Sequence, residues 1–194
     1  KISIGGFNDP APVAGMNSWF KADSLSLSNG ASVNTWTDSS GNGHTATIQA
    51  GSLTYTENSV NGLPTVNFRS AGRNELAGSL FAAQEYVVFT LPNGGDWGAV
   101  IGSNNDQQGY LMHREGFMWD GRYPRGVSKN GTPLSPNYYF GNNNGYMVLK
   151  IDNRNGNTSA TSGWKMGGQE GWNNLDMNLA EVITYDHDLS NAEE

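Results

Sequence analysis

Two short stretches of this 194-residue chain gather side chains that could do chemistry. The first is Asp38-Ser39-Ser40-Gly41-Asn42-Gly43, where a carboxylate, two hydroxyls, an amide and freed carbonyls share one loop. Hard oxygen donors of this kind are what Ca²⁺ prefers, and glycines let a backbone bend around an ion. Asp38, Ser40 and Asn42 are the candidate metal ligands there, for a calcium that would brace the scaffold. A tight turn in which Asp38 accepts backbone N–H groups accounts for the same residues.

The second stretch is Trp119-Asp120-Gly121-Arg122-Tyr123-Pro124-Arg125, preceded by Arg114, which alternates with Tyr110 and Met112 onto one face. Aromatic rings stack on the apolar faces of sugars, while Arg and Asp hydrogen-bond hydroxyls. The same set could clamp a peptide carboxylate through bidentate arginine. Arg114, Trp119, Asp120, Arg122, Tyr123 and Arg125 are therefore candidate ligand-binding residues. Trp172, in the amide-rich stretch 164–174, joins them. The plainer alternative is a charged turn with Trp119 in the core.

Glu181 is the third candidate. Alternation along Leu179–Tyr185 places it on the face of Leu179, Ile183 and Tyr185. Burying a lone carboxylate is costly, so it needs a partner: Ca²⁺, an arginine or backbone amides. It is the fourth candidate metal ligand, with a structural role favoured. Asp152 with Asn155 offers a weaker second ion site, in a segment that reads as a turn.

The elements that must position these groups are short. Alternating runs occur at 18–22, 32–37, 44–49, 65–69, 86–91, 98–102, 109–112, 117–119, 146–151, 163–166 and 179–185, separated by Gly, Asn, Ser and Pro clusters. About eleven strands with turns between them indicate an antiparallel sandwich or barrel. The runs 86–91 and 146–151 are apolar on both faces, as central strands are. Only Ser190 with Glu193, a capping box, starts a helix. The expectation is an all-β domain over residues 16–194, after a linker or edge segment at 1–15, cut from a longer protein.

Composition narrows the partners. There are 26 Gly and 24 Asn, charged residues make up only 15%, and the net charge is −7. A nucleic-acid partner needs a basic face that this chain lacks. No run approaches the roughly 18 apolar residues of a membrane span. The absence of cysteine removes thiolate metal sites and cysteine nucleophiles. With few lysines and an acidic balance, the composition is that of a secreted or cell-surface bacterial protein.

Four blocks carry a family resemblance: Ala14 to Asp23, Trp36 to His44, Asn61 to Phe68, and Leu179 to Ser190. They resemble the concanavalin A-like lectin/glucanase superfamily, in particular bacterial laminin-G-like (LamG) domains. The resemblance implies a two-sheet antiparallel jelly-roll sandwich with a short helix start at its end, and often a structural calcium near the Asp38 loop. It does not fix a function, because such scaffolds host lectins, adhesins, hydrolases and lyases. Glucanases of that superfamily carry their carboxylates in an E-x-D-x-x-E string, which is absent, and the lyase motifs are absent too. The reading is thus a non-catalytic, calcium-supported, lectin-like module that binds glycan, as a monomeric unit of a multidomain chain. The alternatives are a peptide-binding domain of a large calcium-dependent adhesin, a polysaccharide lyase or hydrolase with a degenerate motif, or a structural spacer.

Overall fold

The computed structural model describes residues 13–68, 75–78, 82–93, 98–103, 111–114, 117–119, 124–135, 138–153, 164–167 and 175–194. Its strands are β1 (Met16–Lys21), β2 (Thr35–Thr37), β3 (Thr45–Ala50), β4 (Leu53–Val60) and β5 (Leu63–Phe68). They continue as β6 (Glu75–Gly78), β7 (Gln84–Leu91), β8 (Gly98–Ser103), β9 (Leu111–Arg114) and β10 (Phe117–Trp119). The last are β11 (Pro124–Lys129), β12 (Thr132–Pro133), β13 (Asn143–Asn153), β14 (Trp164–Met166) and β15 (Met177–Tyr185). A 3-10 turn at Ala22–Ser24 follows β1. Every expected strand is present, and β4, β6, β11 and β12 are additional.

Two antiparallel sheets form. The larger runs β12-β11-β13-β7-β15-β5-β4, with β1 also on β15; the smaller runs β10-β9-β8-β14-β6-β3-β2. The strands read as central, β7 and β13, are neighbours in the middle of the larger sheet. β15 serves two strands along one edge: Met177–Leu179 pairs with β5, and Glu181–Tyr185 pairs with β1.

One apolar layer joins the sheets. Phe20, Val87, Phe89, Leu149, Ile151, Leu179 and Val182 from the larger sheet meet Trp36, Ala46, Ile101 and Met166 from the smaller. Alternation sends the intervening residues to the outer face of the larger sheet. There Trp19, Ile183 and Tyr185 form a second cluster with Tyr86, Val13 and Leu189. Val13 thus packs on the sheet, inside the segment expected to be a linker; residues 1–12 lie outside the described part.

A bulge in β15 between Leu179 and Glu181 corrects one expectation. Leu179 points into the main core, while Ile183 and Tyr185 lie in the outer cluster. The extra residue, Ala180, shifts the two-residue period, so Glu181 does not share a face with Leu179.

Two hairpins turn on Asn-Gly pairs. Asn61 and Gly62 take φ of 46° and 83° between Val60 and Leu63, and Asn130 and Gly131 take 50° and 79° between Lys129 and Thr132. Positive φ at both central residues is the twist-matched turn that Asn-Gly favours. At the C-terminal end, Ser190 accepts N–H bonds from Glu193 and Glu194 at 2.9 and 3.1 Å, and its own N–H reaches Glu193 Oε2 at 2.8 Å. The capping-box contact expected there is present, but on a single hydrogen-bonded turn at residues 191–193 and not on a helix.

Gly15 is held at φ 80°, and a Cβ there would lie 2.3 Å from the His187 ring. Its carbonyl accepts Asp186 N–H at 3.0 Å, closing the β1–β15 edge. Gly15→Ala is expected to lower stability by about 1–2 kcal/mol from the left-handed backbone alone. Chemical denaturation checks this, with Gly30→Ala, also at positive φ but with open space around it, as the comparison that isolates the contact with His187.

Candidate functional site

Asp38 stands at the end of β2, where the chain leaves the smaller sheet. It is buried, and its carboxylate reaches β1 of the larger sheet. Asp38 Oδ1 accepts Trp19 N–H and Ser40 N–H, both at 2.7 Å. Oδ2 accepts the Ser40 hydroxyl at 2.6 Å. Ser40 Oγ in turn accepts Asn42 N–H at 3.2 Å, and the Asn42 amide donates to the Met16 and Asn17 carbonyls at 3.0 and 2.9 Å. Ser39 N–H returns to the Trp19 carbonyl at 2.7 Å. His44 Nε2 shares a hydrogen bond with Asn17 Oδ1 at 3.0 Å.

Asp38, Ser40 and Asn42 therefore come together, as a hydrogen-bonded turn. Ca²⁺ needs six to eight oxygens aimed at one point. Here both Asp38 oxygens face donors, and the nearby carbonyls of Met16 and Asn17 are taken by Asn42. This set does not fit a calcium centre. Among the described residues no three His, Asp or Glu side chains gather within reach of one metal ion.

Glu181 meets a different part of Trp19. Its Oε1 accepts the indole Nε1–H at 2.5 Å, and Lys21 Nζ sits 4.5 Å from the centre of the Trp19 ring. Glu181 and Lys21 are cross-strand neighbours. The carboxylate, 7% exposed, thus finds the partner its burial demands in an indole N–H, which is neither an ion, an arginine nor a backbone amide.

The second candidate stretch is only partly described. Arg114 and Trp119 close β9 and β10, a hairpin on the edge of the smaller sheet, and Arg125 lies in β11 of the larger sheet. Asp120, Arg122, Tyr123 and Trp172 lie outside the described residues, as does Asn155, and so do the side chains of Arg114, Trp119 and Arg125. Trp119 thus ends β10, the edge strand of the smaller sheet, and Pro124 begins β11, next to the edge strand β12 of the larger sheet.

β11 leads directly into a cleft that the sequence did not disclose. Its volume is about 560 Å³, and it lies on the outer face of the larger sheet. Tyr86 of β7, Val148, Lys150 and Asp152 of β13 and Ser128 of β11 form its floor; the Asn130–Gly131 turn and Glu194 rise beside them. Asp152, read from sequence as a turn residue, is inside β13. Gln84 organises this end of the sheet: its Nε2 donates to Asp152 Oδ1 at 2.7 Å, and its Oε1 accepts Tyr86 O–H at 3.2 Å and Leu189 N–H at 3.3 Å. Lys150 Nζ pairs with Glu194 and stands 4.0 Å from Asp152 Oδ1. Asn130 pins the wall, its side chain accepting Val148 N–H at 2.9 Å. Burial, and then the negative charge of Glu194, push the Tyr86 phenol far above its ordinary range. It is a neutral hydrogen-bonding group here, with its ring edge-on to Tyr185 at 6.0 Å.

No family model and no curated protein matches this chain. Among solved structures it is similar to the Trypanosoma rangeli sialidase in complex with the inhibitor DANA, at 12% identity and a TM-score of 0.44. That match covers 94% of this chain and 32% of the sialidase, so the chain spans about a third of that protein. At such a score the likeness carries no argument about activity. No helix among the described residues is long and apolar enough to cross a membrane.

Two outcomes follow from the ends of β1. Asp38→Ala strands the buried Trp19 N–H and is expected to cost about 2–3 kcal/mol, read by denaturant unfolding. The loss should be the same with calcium and with chelator; a calcium-dependent difference would restore an ion to this turn. His187 titrates above the ordinary imidazole range, chiefly because Nδ1 bonds Asp186, with Glu193 and Asp188 adding negative charge nearby. A raised folded-state pKa favours the protonated form, so this contribution is complete below the ordinary imidazole pKa and lost as pH rises through the raised value. An NMR titration should show the His187 midpoint fall in Asp186→Asn.

Proposed function

We propose that this chain is a non-catalytic recognition module that binds an oligosaccharide in the cleft over β11, β13 and β7. The observation that carries this reading is the cleft itself: an open depression with the Tyr86 ring, apolar surface from Val127, Pro133 and Val148, and several fixed polar groups. Such a mixture is what ligand sites use, an apolar surface for contact and a few placed polar groups for orientation. Its volume of about 560 Å³ lies inside the usual range for such sites.

Binding rather than turnover suits the state of its groups. Tyr86 is held as a neutral phenol, and Lys150 is in an ion pair, so neither is poised as a base or nucleophile. β11, which floors the cleft, begins at Pro124, directly after the aromatic and cationic stretch that the sequence singles out. A secreted or cell-surface setting, a lectin-like or adhesive role within a larger protein, and the concanavalin A-like affiliation belong to this proposal. Calcium is not required by it, because the cleft's polar groups are fixed by one another and by the backbone.

The test is a glycan array followed by titration calorimetry, with and without chelator. The wild-type protein is expected to bind at least one oligosaccharide class in both conditions. Ser128→Trp, which puts a large ring onto the cleft floor, should weaken that binding by about tenfold or more while leaving the melting temperature nearly unchanged. A silent glycan array with binding to a peptide library would favour the adhesin reading. Release of reducing ends or unsaturated sugars from polysaccharides would overturn the non-catalytic assignment.

A further inference from the structure

The cleft has a polarity that narrows its ligand, and the argument rests on the reading of the cleft as a glycan site. Among the described residues its lining holds two carboxylates, Asp152 and Glu194, and one ammonium, Lys150. Lys150 is held by Glu194, and Asp152 Oδ1 is 4.0 Å from the same Nζ and accepts Gln84 Nε2–H. Asp152 Oδ2 has no hydrogen-bond donor among the described residues. It faces Gly126, the residue opposite it on β11, where an added Cβ would come within 3.3 Å of it. The missing side chain leaves that oxygen open to the cleft. Gln84, fixed by Tyr86 O–H and Leu189 N–H, holds the other oxygen still. A carboxylate so oriented is a strong acceptor with one face already satisfied, and a charge-assisted hydrogen bond to it is about twice as strong as a neutral one.

The partner that completes such a site must bring donors and no negative charge. We infer that Asp152 Oδ2 anchors ring hydroxyls of a neutral oligosaccharide, with Gly126 as the position that keeps access open, and that the cleft rejects acidic glycans. The rejection follows from the excess of one negative charge among the described lining residues, reinforced by the chain's net charge of −7. An oligouronate would place its carboxylates against Asp152 and Glu194, and the ammonium among the described lining residues, Lys150, is already paired with Glu194. Asp152 is a specificity residue in this scheme, and Gln84 is a positioning residue that acts through it.

The experiment titrates neutral gluco- and galacto-oligosaccharides, and the matching oligouronates, into wild type, Asp152→Asn and Gly126→Ala. Wild type is expected to bind a neutral series at least about tenfold more tightly than its uronate counterpart. Asp152→Asn keeps the oxygen that Gln84 holds and turns the open oxygen into a donor. It should cost about tenfold in affinity for the neutral series and narrow the gap to the uronate. Gly126→Ala, whose backbone change is mild, should weaken the neutral series in the same direction and serves as the deciding variant if Asp152→Asn unfolds. Equal binding of uronate and neutral series, or wild-type affinity in both variants, would overturn the assignment of Asp152 while leaving a glycan site in place. Binding of neither series by wild type would instead remove the glycan reading on which this inference stands.

Discussion

Trp19 is held at both ends by carboxylates, and the rest of the sandwich depends on that grip. Asp38, arriving from the smaller sheet, accepts its backbone N–H; Glu181, in the neighbouring strand of the larger sheet, accepts its indole N–H. The first bond is the more consequential, because it crosses between layers. β1 has β15 on one side only, and its other edge would present unpaired backbone groups to solvent. The Asp38 turn covers that edge: Trp19 N–H goes to the side chain, the Trp19 carbonyl takes Ser39 N–H, and the Lys21 carbonyl takes the Trp36 indole at 3.2 Å. An ion at the same turn would compete with the N–H groups for the same oxygens.

With β1 fixed, the outer face of the larger sheet follows. The bulge at Ala180 rotates Glu181 onto Trp19 and carries Ile183 and Tyr185 to the same side, where Tyr86 meets Tyr185 edge-on. Tyr86 is therefore both the rim of an apolar cluster and the floor of the cleft. Gln84, two residues earlier on the same face, links the C-terminal segment through Leu189 and the cleft through Asp152. The scaffold and the proposed binding surface are one continuous set of contacts, so the cleft's shape is set by packing that begins at β1.

The strand pattern was legible because alternation is a local signal. All eleven expected runs are strands, with ends shifted by a few residues. β4 escaped because only Leu53, Tyr55 and Val60 are buried along it, while Glu57 and Asn58, the latter at φ 51°, break the alternation. The Asn61-Gly62 pair that closes its hairpin was a readable signal that went unused, and so was Asn130-Gly131. The bulge at Ala180 could not be read, since one inserted residue changes which face a side chain takes without altering composition. The cleft was illegible for a different reason. Tyr86, Ser128, Asp152 and Glu194 are ordinary polar residues far apart in the chain, and only the β7–β13–β11 register puts them side by side. The Asp38 loop was visible as dense in oxygen, but whether those oxygens accept protons or bind an ion depends on what faces them.

The pairing of β1 with β15 has a mechanical consequence. Met16 opposes Tyr185, so the chain enters and leaves the sheet at the same end of one antiparallel pair. Tension applied through the flanking chain would load that pair at its mouth, opening hydrogen bonds one after another instead of shearing the row at once. Resistance to pulling would then come from the fastenings at that mouth: the Gly15–Asp186 bond, the Ala83–Tyr185 bond on the neighbouring strand, and the Asp38 turn clasping Trp19 three residues further in. A pull on the N-terminal side would peel β1 first, whereas a pull on the C-terminal side would first load the Glu194–Lys150 pair at the cleft and then the Leu189–Gln84 bond, so the cleft shares the strain with β1.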